Sequence, residues 1–322
     1  MRGRSASPKI GIFQRGSHRI VDIPSCIVQH PQINRVAAVV KQGLRQLEIA
    51  PYAERAHVGQ LRALQVVIER SSSSAQVVLV CNGSTPDSVA PLLDFVSREL
   101  GAGLHSLWWN GNPERTNTLL GELWARHSGP EAIRETIGGA DVFFPPAAFG
   151  QANLPLADAL VARVHEWVRG AEVAEFYSGS GAIGLGLVGS GRHVTFNERA
   201  EGGLRGLELG IAALPEVARA GVRCVPGGAG EIIDEVGALA AFDTMIVDPP
   251  RRGLDAALTA ALVASPPARL IYVSCSLDSL ERDISTLEPG LRLSELVAFA
   301  LFPFTDHVET LARFERVEER SR

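Results

Sequence analysis

One cysteine in this sequence directly follows an apolar run that is typical of a buried β-strand. The run is Ile271–Val273, and Ser274 and Cys275 come next. Open α/β sheets bind their ligands in the crevice outside the carboxyl ends of their parallel strands. A cysteine thiolate at that edge is a strong nucleophile. The placement of Cys275 therefore predicts covalent catalysis, and the alternative is a small buried hydrophobic side chain.

A second strand-like run ends in the turn Asp248-Pro249-Pro250-Arg251. Each proline fixes φ and lacks an N–H, so carbonyl groups of the turn stay available to a ligand. Asp248 adds a carboxylate at the same edge. The turn resembles one that is common in methyltransferases acting on planar nitrogenous substrates, and the alternative is a structural, proline-capped loop.

A glycine-rich turn follows the strand-like residues around Phe176. Gly179, Gly181 and Gly184 satisfy the spacing GxGxxG. Glycines there permit positive φ and let the main chain approach a bound nucleotide closely. Glu198 follows about one strand later, where a carboxylate can accept both ribose hydroxyls. The pattern predicts a nucleotide-type cofactor and leaves open whether it is NAD or S-adenosylmethionine.

Strand-like and helix-like runs alternate through the second half of the chain, which predicts a parallel sheet with helices on both faces. The predicted strands are 173–177, 193–196, 221–225, 242–247 and 270–274, and the predicted helices are 182–187, 204–213, 231–239, 254–263 and 277–287. The first half instead mixes short strands with helices predicted over 33–47 and 87–100. We therefore predict a smaller N-terminal α+β domain, residues 1–140, and an α/β domain, residues 141–322.

Composition excludes several classes of protein. The 322 residues are 46% hydrophobic and 21% charged, as in ordinary globular proteins. No apolar run approaches the roughly 20 residues that span a bilayer, and the four cysteines fit no zinc spacing. We expect a cytoplasmic monomer without a bound metal and without membrane association.

Positive charge is concentrated at the start of the chain, although the net charge is −5. Before Asp22 there is no acidic residue, and the basic residues there are Arg2, Arg4, Lys9, Arg15 and Arg19. Such an arm could contact phosphates or could be a solvated tail. Adjacent tryptophans at 108 and 109 are expected to lie on a strand packed in the core of the first domain.

Together these motifs resemble the RNA 5-methyluridine methyltransferase family. Phe149–Asn153 resembles the family's F-x-Q-x-N, and Phe302–Glu309 resembles its FP-x-T-x-H-x-E. The elements occur in the family's order over residues 140–316. The resemblance implies a Rossmann-like class I methyltransferase fold for the second domain and an RNA-recognition role for the first.

The resemblance also implies residue roles. Cys275 would be the nucleophile and Glu309 the base that removes a proton. S-adenosylmethionine would be the cofactor, contacted by Gln151, Tyr177, Gly179, Gly181, Glu198 and Asp248. Residues implied at the substrate are Phe149, Pro249 and Arg251, with Phe149 and Phe304 able to stack on the base. Because only a thiolate reacts, we expect Arg251 or a helix N-terminus to lower the pKa of Cys275.

The sequence departs from the family pattern at several positions. Ser276-Leu277 stands where Asn-Pro is usual, and Ser178 replaces a loop cysteine. Gly228 stands where an amide or acid often contacts the adenine. Cys26 resembles the last ligand of an iron–sulfur cluster, but one cysteine cannot hold a cluster that takes four. We therefore expect no cluster in this chain and no N-terminal RNA-binding β-barrel.

Two other functions stay open. Tyr-Val-Ser-Cys-Ser also resembles 5-methylcytosine RNA methyltransferases, but these carry a second cysteine where Arg251 stands here. A non-catalytic RNA-binding relative would need neither Cys275 nor Glu309. We expect C5 methylation of a uridine in ribosomal or transfer RNA, which the enzyme must reach unstacked.

Overall fold

The computed structural model describes residues 1–189, 191–302, 305 and 307–317. Pro303, Phe304 and Asp306 of the closing motif lie outside the described residues. The chain divides into two compact units, Met1–Glu135 and Thr136–Arg322. The roles assigned to segments 1–140 and 141–322 stay predictions. Among the described residues, every helix is too short or too polar to cross a membrane.

The first unit contains two small hairpins, a four-stranded sheet and two helices. The strands are β1 (Arg2–Arg4), β2 (Ser7–Lys9), β3 (Gly11–Phe13), β4 (Ile20–Asp22), β5 (Leu61–Ile68), β6 (Ala75–Cys81), β7 (Leu104–Gly111) and β8 (Leu123–Ser128), and the helices are α1 (Pro31–Gln46) and α2 (Ala90–Leu100). The sheet order is β5-β6-β7-β8, and only the β6–β7 pair is parallel.

Helix α1 shows why these elements form. Pro31 occupies its first turn, and the His30 ring accepts a hydrogen bond from the main-chain N–H of Gln32. Val36, Val40 and Leu44 recur every four residues, so they share one face and are fully buried. This face packs in a core that also contains Trp109 of β7, as expected for an aromatic strand, whereas Trp108 is only half-buried.

The second unit contains the larger sheet. A two-stranded sheet, β9 (Ile133–Ile137) with β10 (Ala140–Phe144), precedes it. The large-sheet strands are β11 (Glu172–Phe176), β12 (His193–Glu198), β13 (Val222–Pro226), β14 (Thr244–Val247), β15 (Arg269–Ser274), β16 (Leu291–Phe299) and β17 (Glu309–Arg316). The helices are α3 (Leu154–Trp167), α4 (Glu201–Ala213), α5 (Glu216–Arg219), α6 (Ile233–Val236), α7 (Ala256–Ala264) and α8 (Leu277–Leu287).

Within the described residues the large sheet has the order β13-β12-β11-β14-β15-β17-β16. The first five strands are parallel, and β17 is antiparallel to both of its neighbours. Strand residues alternate between two cores: Ile246 packs in one, while Met245 and Val247 pack in the other. The predicted α/β, Rossmann-like fold is confirmed.

One predicted helix is wrong, and another, predicted over 231–239, is α-helical only at Ile233–Val236. Residues 182–187 form turns and a short 3₁₀ segment, Leu185–Leu187, rather than an α-helix. Glycines at 184 and 186 disfavour a helix, and the buried Glu175 carboxylate accepts the N–H of Gly184 at 2.8 Å. That carboxylate replaces the main-chain acceptor that a helix would supply.

Candidate active site

The loop after β11 requires unusual main-chain geometry. Tyr177, Gly179 and Gly181 all have positive φ, at 60°, 54° and 77°. A Cβ on Gly181 would lie 2.8 Å from Leu207 Cδ1, whereas a Cβ on Gly179 would meet nothing within 4 Å. Gly181 is thus required for packing against α4, and Gly179 borders free space that a ligand can enter.

Two acidic residues, Glu175 and Glu198, accept hydrogen bonds from main-chain N–H groups of this loop. Glu175 is buried, and burial raises its pKa to about 8. Glu198 accepts the Gly179 N–H at 2.7 Å through Oε2, and through Oε1 the N–H groups of Arg199 at 2.8 Å and Ala200 at 2.6 Å. A carboxylate offers about four lone pairs, so three main-chain bonds leave about one. Accepting both ribose hydroxyls, as predicted, requires one of these bonds to open.

The Asp-Pro-Pro turn follows β14 at the same sheet edge. Asp248 is half-buried, and burial, then Glu309 and Glu198, raise its pKa to about 8. Pro249 is buried and Arg251 is exposed. The Gly253 N–H donates to the Pro250 carbonyl at 2.8 Å, which closes the turn.

A buried carboxylate anchors the end of this turn. Asp283 Oδ2 accepts the Leu254 N–H at 2.9 Å and the Tyr272 hydroxyl at 2.8 Å. Tyr272 lies on β15 and Asp283 on α8. The hydrogen bonds therefore connect the turn to the strand and the helix that flank Cys275.

Cys275 and Glu309 come together through strand pairing. Ser274, the last residue of β15, pairs with Thr310 of the antiparallel β17. The next residue along the chain from Ser274 is Cys275 and the one before Thr310 is Glu309, so the ladder brings these two residues into the same region, where Glu309 raises the pKa of the thiol. Glu309 is only 3% exposed, and burial raises its pKa. Cys275 is half-buried.

The expectation that the site lowers the pKa of Cys275 is wrong for the protein without ligands. Burial raises the pKa of this thiol, and the nearby carboxylates of Glu309 and Asp248 raise it further. Arg251 lowers it, as expected, but is exposed and does not outweigh the other effects. Helix α8 begins two residues later, at Leu277, with Ser276 as its N-cap.

Three side-chain oxygens in the predicted cofactor motifs are buried without a hydrogen-bond partner among the described residues: Gln151 Oε1 in the F-x-Q-x-N segment, and Ser178 Oγ and Ser180 Oγ in the glycine loop. Buried polar atoms are usually satisfied, so unpaired ones indicate a place for a ligand or water. Gln151 was predicted from its motif. The two serines were not, because a small hydroxyl in a glycine loop carries no distinctive signal.

Of the other predicted positions, Phe149 is exposed and Gly228 lies against a glutamate side chain. Phe149 is 71% exposed and makes no ring contact with the described residues. Gly228 follows β13, and its N–H donates to Glu231 Oε2 at 2.9 Å. A Cβ on Gly228 would lie 2.6 Å from that oxygen. The Glu231 carboxylate therefore occupies the space of the missing side chain, which sequence reasoning did not anticipate.

No group of three or more metal-ligating side chains occurs in the described part of the chain. Cys26 is half-buried, and its main-chain N–H and carbonyl bond to the Asn34 side chain at 2.9 and 3.0 Å. The absence of a cluster stays a prediction.

Comparisons with known proteins identify relatives over almost the whole chain. The family model for tRNA (uracil-5-)-methyltransferases matches residues 237–317. An uncharacterised RNA methyltransferase of Protochlamydia amoebophila is 35% identical, over 98% of this chain and 84% of the relative. Another, of Geobacter sulfurreducens, is 31% identical, over 96% of this chain and 63% of the relative.

A solved structure of an RNA methyltransferase also resembles this chain. The Pyrococcus abyssi tRNA (uracil-54, C5)-methyltransferase, crystallised with S-adenosyl-L-homocysteine, superposes with a TM-score of 0.79 at 26% identity. The alignment covers 94% of this chain and 71% of that one. Sequence, fold and motif order agree, and the chain therefore belongs to the tRNA (uracil-5-)-methyltransferase family of RNA methyltransferases.

Proposed function

We propose that this enzyme transfers a methyl group from S-adenosylmethionine to C5 of a uridine in RNA through a covalent adduct with Cys275. One observation supports the proposal: β15 pairs antiparallel with β17 as far as Ser274 and Thr310, so Cys275 and Glu309 are the next residues on adjacent strands, and Glu309 raises the pKa of Cys275. A nucleophile next to a base is what covalent catalysis requires.

The residues at the glycine loop fit the cofactor. S-adenosylmethionine supplies an electrophilic methyl group on a positively charged sulfonium. Asp248 and Glu198 bring carboxylates to this side of the sheet, and Gln151 Oε1 is buried without a partner among the described residues. We assign cofactor contacts to Gln151, Tyr177, Gly179, Gly181, Glu198 and Asp248, and the Pyrococcus relative holds the demethylated product of the cofactor.

Glu231 completes this assignment. Gly227 N–H donates to the Glu198 carbonyl at 2.9 Å, so the segment that follows β13 lies directly beside Glu198. If Glu198 contacts the ribose, the base extends toward this segment. Glu231 already uses Oε2 on the Gly228 N–H, and its Oε1 can accept from the 6-amino group of adenine. We therefore assign to Glu231 the role that Gly228 cannot fill.

The proposed chemistry at uridine has two stages, of which only the second moves a proton. The Cys275 thiolate adds to C6, and the electron pair of the C5–C6 bond passes into an enolate whose C5 attacks the methyl carbon. The methyl–sulfonium bond breaks, and its electrons remain on the cofactor sulfur. Glu309 then removes the proton from C5, and those electrons re-form the C5–C6 double bond as the C6–sulfur bond breaks. The thiolate is regenerated.

Cys275 and Glu309 must both be deprotonated before they can react. Burial raises the pKa of Cys275, the carboxylates of Glu309 and Asp248 raise it further, and both effects favour the thiol over the thiolate. A bound sulfonium cation opposes those carboxylates and favours the thiolate, as does Arg251. The raised pKa of Glu309 makes it a stronger base than an exposed glutamate. The enzyme therefore becomes reactive when the cofactor is bound.

The substrate is proposed to be ribosomal or transfer RNA with the target uridine unstacked. Phe149 offers an exposed ring for stacking, and Pro249 and Arg251 lie on the turn that borders Cys275. Phe304, the second predicted stacking residue, lies outside the described residues. Arg251 occupies the place where a 5-methylcytosine enzyme would carry its second cysteine, which favours uridine.

Nucleoside mass spectrometry of RNA from cells with and without the protein tests the proposal. We expect loss of 5-methyluridine in the deletion strain and its return with the wild-type gene. Complementation with Cys275→Ala should fail, whereas Cys224→Ala, which changes an exposed free cysteine, should succeed. Unchanged 5-methyluridine together with lost 5-methylcytosine would contradict the uridine assignment.

A further inference from the structure

The start of the chain carries a local excess of positive charge in a protein whose net charge is −5. Residues 1–21 contain five arginines and lysines and no acidic residue. These residues form a folded structure rather than a solvated tail: Met1 is 7% exposed, and its N-terminal amine donates to the Arg62 carbonyl at 2.8 Å.

Strand pairing directs the charges of the first hairpin to one face. In the β1–β2 pair, Arg2 is opposite Lys9 and Arg4 is opposite Ser7. Side chains alternate along a strand, so Arg2, Arg4 and Lys9 share a face. Pro8, on the opposite face, is buried. The basic face of this hairpin is therefore the one directed away from the core.

The second hairpin places two more arginines at its turn. The Gln14 N–H donates to the Arg19 carbonyl at 2.8 Å, and the Ser17 N–H to the Gln14 carbonyl at 3.0 Å. Gly16, with φ of 69°, makes this turn possible. Arg15 and Arg19 are exposed on the two sides of the turn.

Nearby acidic groups are already neutralised. Glu54 accepts from Arg2 at 2.6 Å and lies 3.0 Å from the His18 ring nitrogen. Asp22 accepts from Lys41 at 2.6 Å and from the Ile10 N–H at 2.9 Å. Within the part of the chain that the structure describes, the remaining cations form no ion pair; these are Arg4, Lys9, Arg15 and Arg19.

An aromatic ring lies among these charges. Phe13 is 53% exposed, although a phenylalanine usually favours the interior. The Arg2 guanidinium lies 5.7 Å from its ring centroid, and the His18 ring lies at 5.8 Å, tilted by 46°. These contacts hold the ring in place and leave part of it accessible for stacking.

We propose that the two hairpins form a basic hairpin surface (Arg4, Lys9, Phe13, Arg15 and Arg19) that binds the RNA substrate outside the active site. The four unpaired cations neutralise phosphates, and Phe13 stacks on an unpaired base. Charge complementarity selects a polyanion, because none of these cations forms an ion pair among the described residues, although Lys9 contributes to the lowered pKa of Asp22. The ring selects RNA with unpaired bases, since base–aromatic stacking requires an accessible base. The inference rests on the proposed function, because it takes the substrate to be RNA.

The test compares two variants of the full chain with four charges removed from each. The surface variant is Arg4→Gln, Lys9→Gln, Arg15→Gln and Arg19→Gln. The matched control removes exposed arginines elsewhere, as Arg45→Gln, Arg98→Gln, Arg163→Gln and Arg292→Gln. The probes are bulk transfer RNA and a stem-loop transcript with uridines in its loop. Filter binding measures the dissociation constant as a function of salt concentration.

We expect the surface variant to bind both probes at least about tenfold more weakly at about 0.1 M salt, with the salt slope reduced by about 3. The control should lose much less, and both variants should bind S-adenosylhomocysteine like the wild type. Phe13→Ala should weaken binding of the stem-loop more than binding of a fully paired duplex. Equal affinity and slope in the surface variant and the control overturn the inference.

The test of the basic hairpin surface can fail independently of the test of the proposed function. If the wild-type enzyme methylates uridine and the surface variant keeps its KM for RNA, the inference fails and the function stands. If the surface variant loses RNA affinity but no RNA gains 5-methyluridine, the surface stands and the function fails. Wild-type protein that binds neither probe overturns the inference directly.

Discussion

The hydroxyl of Tyr272 donates to Oδ2 of Asp283 at 2.8 Å in the interior of the second unit. The same carboxylate oxygen accepts the N–H of Leu254. One side chain thus joins β15, α8 and the end of the Asp-Pro-Pro turn. The position of Cys275, at the junction of that strand and helix, depends on this arrangement.

Removing the acceptor should cost more than removing one donor. Tyr272→Phe loses one hydrogen bond, so we expect its free energy of unfolding to fall by about 1 kcal/mol. Asp283→Ala leaves two buried donors without an acceptor, so we expect a loss of about 3 kcal/mol. Urea unfolding measures both. Equal losses would show that the Leu254 N–H finds another partner.

Alanine at two loop glycines should separate folding from cofactor binding. Gly179→Ala and Gly181→Ala both force alanine to a positive φ, at a cost of about 1 kcal/mol. Only at 181 does the new methyl group also meet Leu207 and Leu185, within 3.0 Å. We expect Gly181→Ala to unfold at lower urea, and Gly179→Ala to lose more affinity for S-adenosylhomocysteine in calorimetric titration. The reverse order would contradict the assigned roles.

Variants of the reacting pair should stop the reaction at different points. Cys275→Ala should lose methyl transfer by at least about 10³-fold, since no adduct forms, and should keep its cofactor affinity. Glu309→Gln should form the adduct but release it slowly, because C5 keeps its proton. Denaturing gels with radiolabelled RNA detect the trapped complex. Normal turnover by Glu309→Gln would show that another group is the base.

The raised pKa values predict a distinct dependence on pH. Asp248 and Glu175 have pKa values of about 8 in the folded protein and about 4 when unfolded. The folded state therefore binds more protons between about pH 4 and 8, and its stability should fall as pH rises through that range. Urea unfolding at several pH values checks this, and Asp248→Asn should flatten the profile.

Cofactor binding should show the opposite trend. The sulfonium cation prefers an ionised Asp248, so affinity for S-adenosylmethionine should rise up to about pH 8 and then level off. S-adenosylhomocysteine lacks that cation and serves as the control ligand, with a weaker dependence. Equal pH profiles for the two ligands, measured by calorimetry, would exclude this coupling.

The proposed contact between Glu231 and adenine can be tested by changing one functional group of the ligand. S-inosylhomocysteine carries an oxygen in place of the 6-amino group and would meet the carboxylate unfavourably. We expect the wild type to prefer the adenine ligand by about tenfold or more, as for a hydrogen bond to a charged group. Glu231→Gln can donate as well as accept, so its preference should shrink. An unchanged preference would remove Glu231 from the adenine site.

The sequence predicts the parallel strands and the residues at their carboxyl ends, because periodicity and turn chemistry are local. It does not predict that β17 lies between β15 and β16, since strand order depends on pairing between distant segments. The neighbourhood of Cys275 and Glu309 is therefore visible only in the structure. The direction of the Cys275 pKa was wrong for the same reason: Arg251 is near in sequence, whereas Glu309 is near only in space.

Local rules also fail where side chains replace main-chain partners. Residues 182–187 have helical spacing, but the Glu175 carboxylate binds Gly184 and the segment stays a turn. Gly228 has no side chain of its own, but the Glu231 carboxylate lies beside it. Each case depends on a side chain whose direction no sequence pattern specifies.

The antiparallel ladder of β15 and β17 has a consequence for natural variation in this enzyme. Because Ser274 pairs with Thr310, the register of this ladder fixes which residue of β17 comes next to Cys275. A single-residue deletion inside β17 would turn Glu309 to the opposite side of the sheet. Homologous chains should therefore keep the spacing from Glu309 to the end of that strand constant.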